Sequence, residues 1–166
     1  MHINAKTDYA VRACVELASC VEVPDEPARW VKADALAARQ GVPVPFMLSI
    51  LNELKRAGVV ESRRGADGGY RLARPPAATT IADVVRAIDG PLADVAGSYV
   101  EDVAYGGGAA AVRDVWVALR AAMRTVLEHV SLEQAARGAL PEHVRALLAD
   151  DAAWSTRPHG RSAIRP

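Results

Sequence analysis

The residues with the most potential for chemistry lie on a predicted helix over 45–57, which has two distinct faces. One face repeats apolar side chains at i, i+3, i+4 and i+7 and is expected to enter a core: Met47, Ile50, Leu51 and Leu54. The opposite face is mainly polar, with Leu48 at its edge: Pro45, Ser49, Asn52 and Arg56. Serine and asparagine can bond base edges, and arginine can read guanine or bind phosphate. This face is therefore predicted to enter a DNA major groove.

Positive charge is concentrated beside that helix. The segment 54–74 holds six cations and two anions, a local excess of +4 in a chain with 20 basic and 20 acidic residues. The cations are Lys55, Arg56, Arg63, Arg64, Arg71 and Arg74; the anions are Glu61 and Asp67. An arginine-rich hairpin with a glycine tip can insert a guanidinium group into a narrow minor groove, and we expect Arg64 to do so. The predicted phosphate contacts are Lys6, Tyr9, Arg56, Arg63 and Arg71.

The surrounding elements are predicted to present these side chains as a winged helix-turn-helix. A short helix over 33–39 ends before Gly41, and the helix over 45–57 follows after a tight turn. Strands over 59–63 and 70–72 flank a glycine-rich turn and form the wing. A first helix begins after Asn4, and a helix over 81–89 begins after Thr79 or Thr80.

The longest predicted helix, over 109–130, carries one apolar stripe along about six turns. Its residues are Val112, Val115, Trp116, Leu119, Met123, Val126, Leu127 and Val130. A winged domain of about ninety residues already has its own core, so this stripe needs another partner. The same helix of a second chain would satisfy that need across a two-fold axis, which predicts a homodimer.

The predicted fold class is therefore mainly α with a small β-hairpin wing, a winged helix-turn-helix followed by a long dimerisation helix. The DNA-binding domain is expected over 1–90, a loop over 91–108, the dimerisation helix and C-terminal helices over 109–150, and a disordered tail over 151–166. Ser131 and Gln134 predict a capping box for a helix that ends at Gly138, and Pro141 can begin a last helix.

Several function classes are not expected from the sequence. Charged residues among the first twenty argue against a secretory signal, and the longest uncharged stretch, 40–52, is too short for a membrane span, so a soluble cytosolic protein is predicted. The four histidines lack metal-ligand spacing: His2, His129, His143 and His159. The sequence also contains no nucleophile motif and no phosphate-binding loop motif. An enzyme, a metal site and a cofactor are therefore not predicted.

The two cysteines, Cys14 and Cys20, both fall on the first predicted helix. Their spacing places them about 9 Å apart along the axis and about 240° apart around it. A disulfide requires Cα atoms within about 7 Å, so this pair is not expected to bridge. Buried thiols in a reducing compartment are the expected state.

Three segments together resemble the IscR/NsrR/CymR-type winged-helix regulators, the Rrf2 family. They read KTDYAVRACVELA at 6–18, ALAARQGVPVPFMLSILNELKRAGVVESRRGADGGYRLARP at 35–75 and TIADVVRAIDGP at 80–91. The resemblance covers residues 1–91 closely and the long helix in general layout. It implies a homodimeric transcription repressor, in a family whose members often sense iron–sulfur status, nitric oxide or cysteine metabolism. We expect such a homodimer to bind a palindromic operator.

One departure from the family changes the expected sensing chemistry. Cluster-binding members carry three cysteines between the AIDG helix and the long helix. Here the segment 90–109 has no cysteine or histidine and offers instead Asp94, Tyr99, Glu101, Asp102 and Tyr105. Asp8 falls where some nitric-oxide-sensing relatives supply a carboxylate ligand, but a carboxylate without thiolate partners is a poor cluster ligand. We therefore expect no iron–sulfur cluster.

Regulation remains open between three alternatives. A small-molecule effector could bind a pocket near Tyr99, Tyr105 and Trp116, a protein partner could control the regulator, or Cys14 or Cys20 could act as a thiol sensor. A different class is also open, in which the winged helix docks a protein partner, such as a metabolic enzyme, without binding DNA.

Overall fold

The computed structural model describes residues 3–20 and 29–155. Within these ranges the chain forms seven α-helices and two two-stranded antiparallel sheets. The helices are α1 (Ala5–Ser19), α2 (Ala33–Gln40), α3 (Val44–Arg56), α4 (Ile81–Asp89), α5 (Val112–Leu127), α6 (Leu132–Arg137) and α7 (Glu142–Leu148). The strands are β1 (Val60–Arg63), β2 (Gly69–Leu72), β3 (Asp94–Val95) and β4 (Ser98–Tyr99). No helix of the described ranges is long and apolar enough to cross a membrane.

Local capping chemistry sets where the helices begin. The Asn4 side chain accepts the Thr7 N–H at 2.9 Å at the start of α1, as predicted. Thr80, rather than Thr79, caps α4 through a capping box with Asp83. Thr79 is buried and donates its hydroxyl to the Pro75 carbonyl. The predicted capping box of Ser131 and Gln134 is confirmed at the start of α6.

One core holds α3 in place. Helix α1 packs against α3, α4 and α6, and α2 packs against α3. The four residues predicted to form the apolar face of α3 have no exposed surface: Met47, Ile50, Leu51 and Leu54. The prediction for that face is confirmed. Because these side chains point inward at helical spacing, the polar face of α3 is turned to solvent.

The wing is a hairpin with an additional backbone partner. Strands β1 and β2 pair from Val60 opposite Leu72 to Arg63 opposite Gly69. Val31, far away in the sequence, exchanges two backbone hydrogen bonds with Tyr70, at 2.9 and 2.8 Å. Since side chains alternate along a strand, buried Val60 and Leu72 define an inner face. The outer face then carries three charged side chains: Glu61, Arg63 and Arg71.

The hairpin tip depends on Gly68. A Cβ atom at this position would lie 2.2 Å from the Arg63 carbonyl oxygen, which is backbone and cannot move aside cheaply. We expect Gly68→Ala to lower the free energy of unfolding by about 1–3 kcal/mol, because the tip must distort. Gly106→Ala is the matched control, since a Cβ there meets nothing within 4 Å. Urea unfolding of both variants measures the difference, and equal midpoints for the two would contradict the prediction.

The structure corrects several predicted boundaries. The long helix runs over Val112–Leu127 and not over 109–130, because Gly107–Ala109 forms a separate 3₁₀ turn and the chain turns back after α5. Val130 was predicted on the dimer stripe, but it lies beyond α5 and is buried within its own chain, where its carbonyl accepts the Ile81 N–H. The predicted loop over 91–108 contains the β3–β4 hairpin.

The predicted disordered tail also needs correction at its start. Asp151–Trp154 forms a 3₁₀ turn, and the Trp154 indole donates to the Leu148 carbonyl at 2.8 Å. The rest of that prediction, residues 156–166, lies outside the described residues, as do His2 and His159.

Candidate nucleic-acid interface

The exposed face of α3 carries the residues predicted to meet base edges. Pro45, Ser49, Asn52 and Arg56 are all exposed. Leu48, at the edge of this face, is 36% exposed. The helix is therefore apolar toward the core and presents hydroxyl, amide and guanidinium groups to solvent, which are the groups that can read the major groove.

Four of the six clustered cations have no carboxylate partner among the described residues. The Lys55 ammonium donates to the Ser62 hydroxyl at 2.7 Å, which connects α3 to the wing. Arg63 donates to the Asp67 carbonyl at 3.1 Å across the tip. The other two cations are Arg56 and Arg64. Both are exposed, and neither side chain forms a hydrogen bond within residues 3–20 and 29–155. Their charge is thus available to an anionic partner.

The remaining two cations of the cluster are paired. Arg71 donates through Nε to Glu61, which faces it across the hairpin, and Arg74 forms an ion pair with Asp83 at 3.0 Å. A guanidinium has five N–H donors, so the Arg71 pair uses only part of its capacity. A predicted phosphate contact by Arg71 must be shared with Glu61.

The predicted phosphate contacts on α1 lie beside α3 and have partners of their own. The Lys6 ammonium lies 2.6 Å from the Glu53 carboxylate of α3, which offsets its charge. Tyr9 is half-buried and packs edge-on against Phe46, with 5.9 Å between the two ring centroids. The Arg12 guanidinium lies 5.0 Å from the centroid of the Tyr9 ring. The sequence reasoning missed Arg12, although its i, i+3 spacing from Tyr9 placed it on the same helix face.

Trp30 is a second residue that the sequence reasoning missed. Its indole ring lies against the guanidinium groups of both Arg63 and Arg71 on the wing. No local pattern could reveal this contact, because Trp30 lies thirty residues before the first residue of the wing, Val60, and reaches it through the pairing of Val31 with Tyr70.

The apolar stripe of α5 divides into two parts. Trp116 and Met123 are half-buried and face the segment 92–105 of the same chain. Val115 and Leu119 remain 57% and 43% exposed. Large apolar side chains exposed one turn apart on a helix form the kind of surface that other proteins cover.

A cavity of about 480 Å³ lies between α5 and the segment 92–105. Its lining is mainly apolar and includes Leu92, Val95, Val100, Tyr105, Val112, Trp116, Leu119 and Met123, with Asp94 as its carboxylate. Of the three predicted pocket residues, Tyr105 and Trp116 line it. Tyr99 does not, because it lies on β4 and is 57% exposed. The ion pair of Arg120 with Glu101 attaches this segment to α5; a backbone hydrogen bond and the hydrogen bond from Arg120 lower the pKa of Glu101.

This architecture agrees with the known proteins that the chain resembles. A family model described as "Rrf2: Iron-dependent Transcriptional regulator" matches residues 3–138. The chain belongs to the Rrf2 family. The family and the relatives below are transcriptional regulators and not enzymes, and they support DNA-binding regulation over a docking module without DNA.

Relatives of this Rrf2 regulator extend along most of the chain. A Mycobacterium tuberculosis (strain H37Rv) protein, named among the HTH-type transcriptional regulators as Rv1287, is 48% identical over 98% of both chains. The Bacillus subtilis HTH-type transcriptional regulator CymR is 30% identical over 82% of this chain and 90% of its own. The solved structure of CymR, described as the global cysteine regulator of B. subtilis, superposes with a TM-score of 0.67 at 28% identity, over 82% of this chain and 97% of that one. The T. potens IscR structure gives 0.64 at 25% identity, over 93% and 97%.

An iron–sulfur cluster does not fit the donors that this Rrf2 chain offers between α4 and α5. The segment between α4 and α5 offers carboxylate and phenol oxygens and no thiolate or imidazole, whereas iron–sulfur clusters are bound by thiolates. Asp8 is a surface carboxylate: its side chain is exposed, and one of its oxygens lies 3.5 Å from the Arg12 guanidinium. No group of three or more His, Cys, Asp or Glu side chains in the described part of the chain is arranged to hold a metal ion.

Burial determines the chemistry of Cys14. The thiol has no exposed surface, and this burial raises its pKa to about 12. Because the thiolate is the reactive form, Cys14 is a neutral packing side chain at physiological pH. Neither cysteine is part of a disulfide.

A thiol-labelling experiment tests this assignment. In a Cys20→Ser variant we expect Cys14 to react with a colourless disulfide reagent at least about 100-fold more slowly in buffer than in denaturant, since the folded protein holds it buried and protonated. Release of the coloured thiol measures both rates. Rapid labelling in buffer would contradict the assignment and favour thiol sensing.

Proposed function

We propose that this Rrf2 regulator is a homodimeric repressor that binds a palindromic operator without an iron–sulfur cluster. One observation carries the proposal: the exposed polar face of α3 lies beside four cations that have no carboxylate partner within the described residues. Ser49, Asn52 and Pro45 would face base edges, and Arg64 would enter the minor groove. Phosphate contacts would come from Lys6, Tyr9, Arg56, Arg63 and Arg71.

The homodimer is supported by the exposed part of the α5 stripe. The predicted dimer residues that remain on α5 are Val112, Val115, Trp116, Leu119, Met123 and Val126. Val115 and Leu119 would be covered by the same helix of a second chain, while Trp116 and Met123 complete the contact from the cavity side. A two-fold dimer would place two α3 helices on one duplex, with half-sites one helical turn or a multiple apart. Repression would follow where such an operator overlaps a promoter.

We further propose that the cavity between α5 and the segment 92–105 binds a small apolar or aromatic effector. Its size lies within the range of small-molecule pockets, and its lining combines Trp116 and Tyr105 with one carboxylate, Asp94. A ligand there would contact the same face of α5 that the proposed dimer uses, through Trp116, Leu119 and Met123. A metabolite screen by thermal shift tests this idea, with Trp116→Ala as the variant expected to lose the shift. Control through a protein partner predicts no ligand in the screen.

Selection of bound DNA fragments tests the proposed function directly. The purified chain is mixed with fragments of its source genome, and bound fragments are recovered and sequenced. We expect a two-fold symmetric site. The variant Ser49→Ala/Asn52→Ala is expected to recover no common sequence while still retaining DNA at low salt, because its phosphate contacts remain. Recovery of unrelated fragments by the wild-type chain would contradict sequence-specific regulation.

A further inference from the structure

Trp30 occupies an unusual position on the outer face of the wing. The Arg71 guanidinium carbon lies 4.4 Å from the centroid of its ring, and that of Arg63 lies 5.5 Å away. Both distances are within the range of cation–π attraction. Trp30 is half-buried, so its ring is partly shielded from water, which strengthens such contacts.

The geometry of the hairpin explains why these two arginines need a common partner. Arg71 faces Glu61, and Arg63 faces Gly69, so the two arginines are diagonal neighbours on one face. The Cα atoms of diagonal neighbours lie about 7–8 Å apart, so long side chains at these positions can reach each other. Two like charges at that distance repel each other. The electron-rich face of the indole attracts both cations and offsets that repulsion.

The position of Trp30 is itself fixed by backbone contacts. Val31 exchanges two hydrogen bonds with Tyr70 and holds the neighbouring Trp30 against β2. The approach is so close that a Cβ atom on Gly69 would lie 2.5 Å from the Val31 carbonyl oxygen. Gly68 is therefore required by the turn at the hairpin tip, whereas Gly69 leaves room for the extended segment that carries Trp30.

We propose that Trp30 is a positioning residue for DNA binding, which holds Arg63 and Arg71 side by side so that both guanidinium groups meet the phosphates of one duplex. This inference rests on the proposed DNA-binding function. Glu61 and the Asp67 carbonyl hold single N–H groups of these arginines, and the ring restricts the remaining freedom of both side chains. A pair fixed in advance loses less conformational entropy when it binds phosphate than two free side chains do.

Ring-conserving and ring-removing variants test the proposal. The probe is a mixed-sequence duplex of about 30 base pairs, which has room for two half-sites and needs no known operator. We expect Trp30→Leu and Trp30→Ala to weaken binding about fivefold and to lower the slope of log affinity against log salt by about one, the value of one phosphate contact. Trp30→Phe keeps a ring face and is expected to bind within about twofold of wild type.

A double-mutant cycle separates positioning from general structure. In an Arg63→Ala/Arg71→Ala background, Trp30→Leu is expected to have no further effect on affinity or salt slope, because the groups through which it acts are gone. An equal loss in both backgrounds, or a Trp30→Phe variant as weak as Trp30→Leu, would overturn the proposal. Thermal unfolding of each variant checks the fold; if Trp30→Ala does not fold, the comparison of Leu with Phe carries the test.

The two levels of inference can fail separately. A wild-type chain that ignores the duplex even at low salt would refute the proposed function itself. A wild-type chain that binds, together with a Trp30→Leu variant that binds equally well and with the same salt slope, would refute only the role of Trp30.

Discussion

Val115→Glu is expected to convert the proposed dimer to a monomer and to weaken operator binding by about 100-fold or more. Val115 is 57% exposed in the single chain and is not part of the cavity lining, so the substitution costs the isolated fold little. In a two-fold dimer each chain would place the new carboxylate in the interface, where it would be desolvated without a partner. Loss of the second half-site contact then removes the gain from binding two linked sites.

Ala121→Glu is the matched control for that variant. It introduces the same charge on α5 at an exposed position that lies more than 90° around the helix from Val115. We expect it to remain dimeric and to bind the operator as wild type does. Sedimentation velocity gives the oligomeric state, and fluorescence anisotropy with the selected operator gives the affinity. A Val115→Glu chain that stayed dimeric would show that α5 is not the interface.

Arg64→Ala is expected to weaken operator binding about tenfold and to leave the dimer intact. Arg64 is exposed at the wing and has no hydrogen bond to the rest of the described chain, so its removal leaves no buried group unpaired. A guanidinium in a narrow minor groove meets the most negative potential of the duplex. The affinity loss should therefore be largest for operators with A·T-rich DNA beneath the wing.

Arg145→Ala serves as the control for lost positive charge. Arg145 is an exposed cation on α7, far along the sequence from the wing, and pairs with Glu142 on the same helix. Anisotropy titrations at several salt concentrations compare the two variants. Equal affinities for wild type and Arg64→Ala would contradict the predicted minor-groove contact, and equal losses for both variants would reduce it to an effect of net charge.

The parts of this architecture that follow from short-range patterns could be predicted from the sequence. The apolar spacing of α3 and the caps Asn4 and Ser131 depend on neighbours within one or two turns. The ends of α5 could not be predicted, because apolar periodicity continues to Val130 while the chain is already returning to pair Ser131 with Thr80. That pairing is a long-range contact, and no local pattern encodes it.

The candidate site shows the same division. The arginines and the glycine tip of the wing were visible as composition and spacing within 54–74. The contacts between distant elements were not visible: Glu53 lies beside Lys6, and Trp30 beside Arg63, only because folding brings their elements together. The position of Tyr99 was mispredicted for a similar reason, since the short β3–β4 hairpin turns it outward.

The central claim is that two copies of this chain present two α3 helices and two wings to one duplex. Native mass spectrometry of the complex with the selected operator measures this directly, because it counts the chains on each duplex. We predict two chains on an intact palindromic operator and a marked loss of that complex when one half-site is scrambled. One chain per duplex, or an unchanged complex on the scrambled site, would contradict the account.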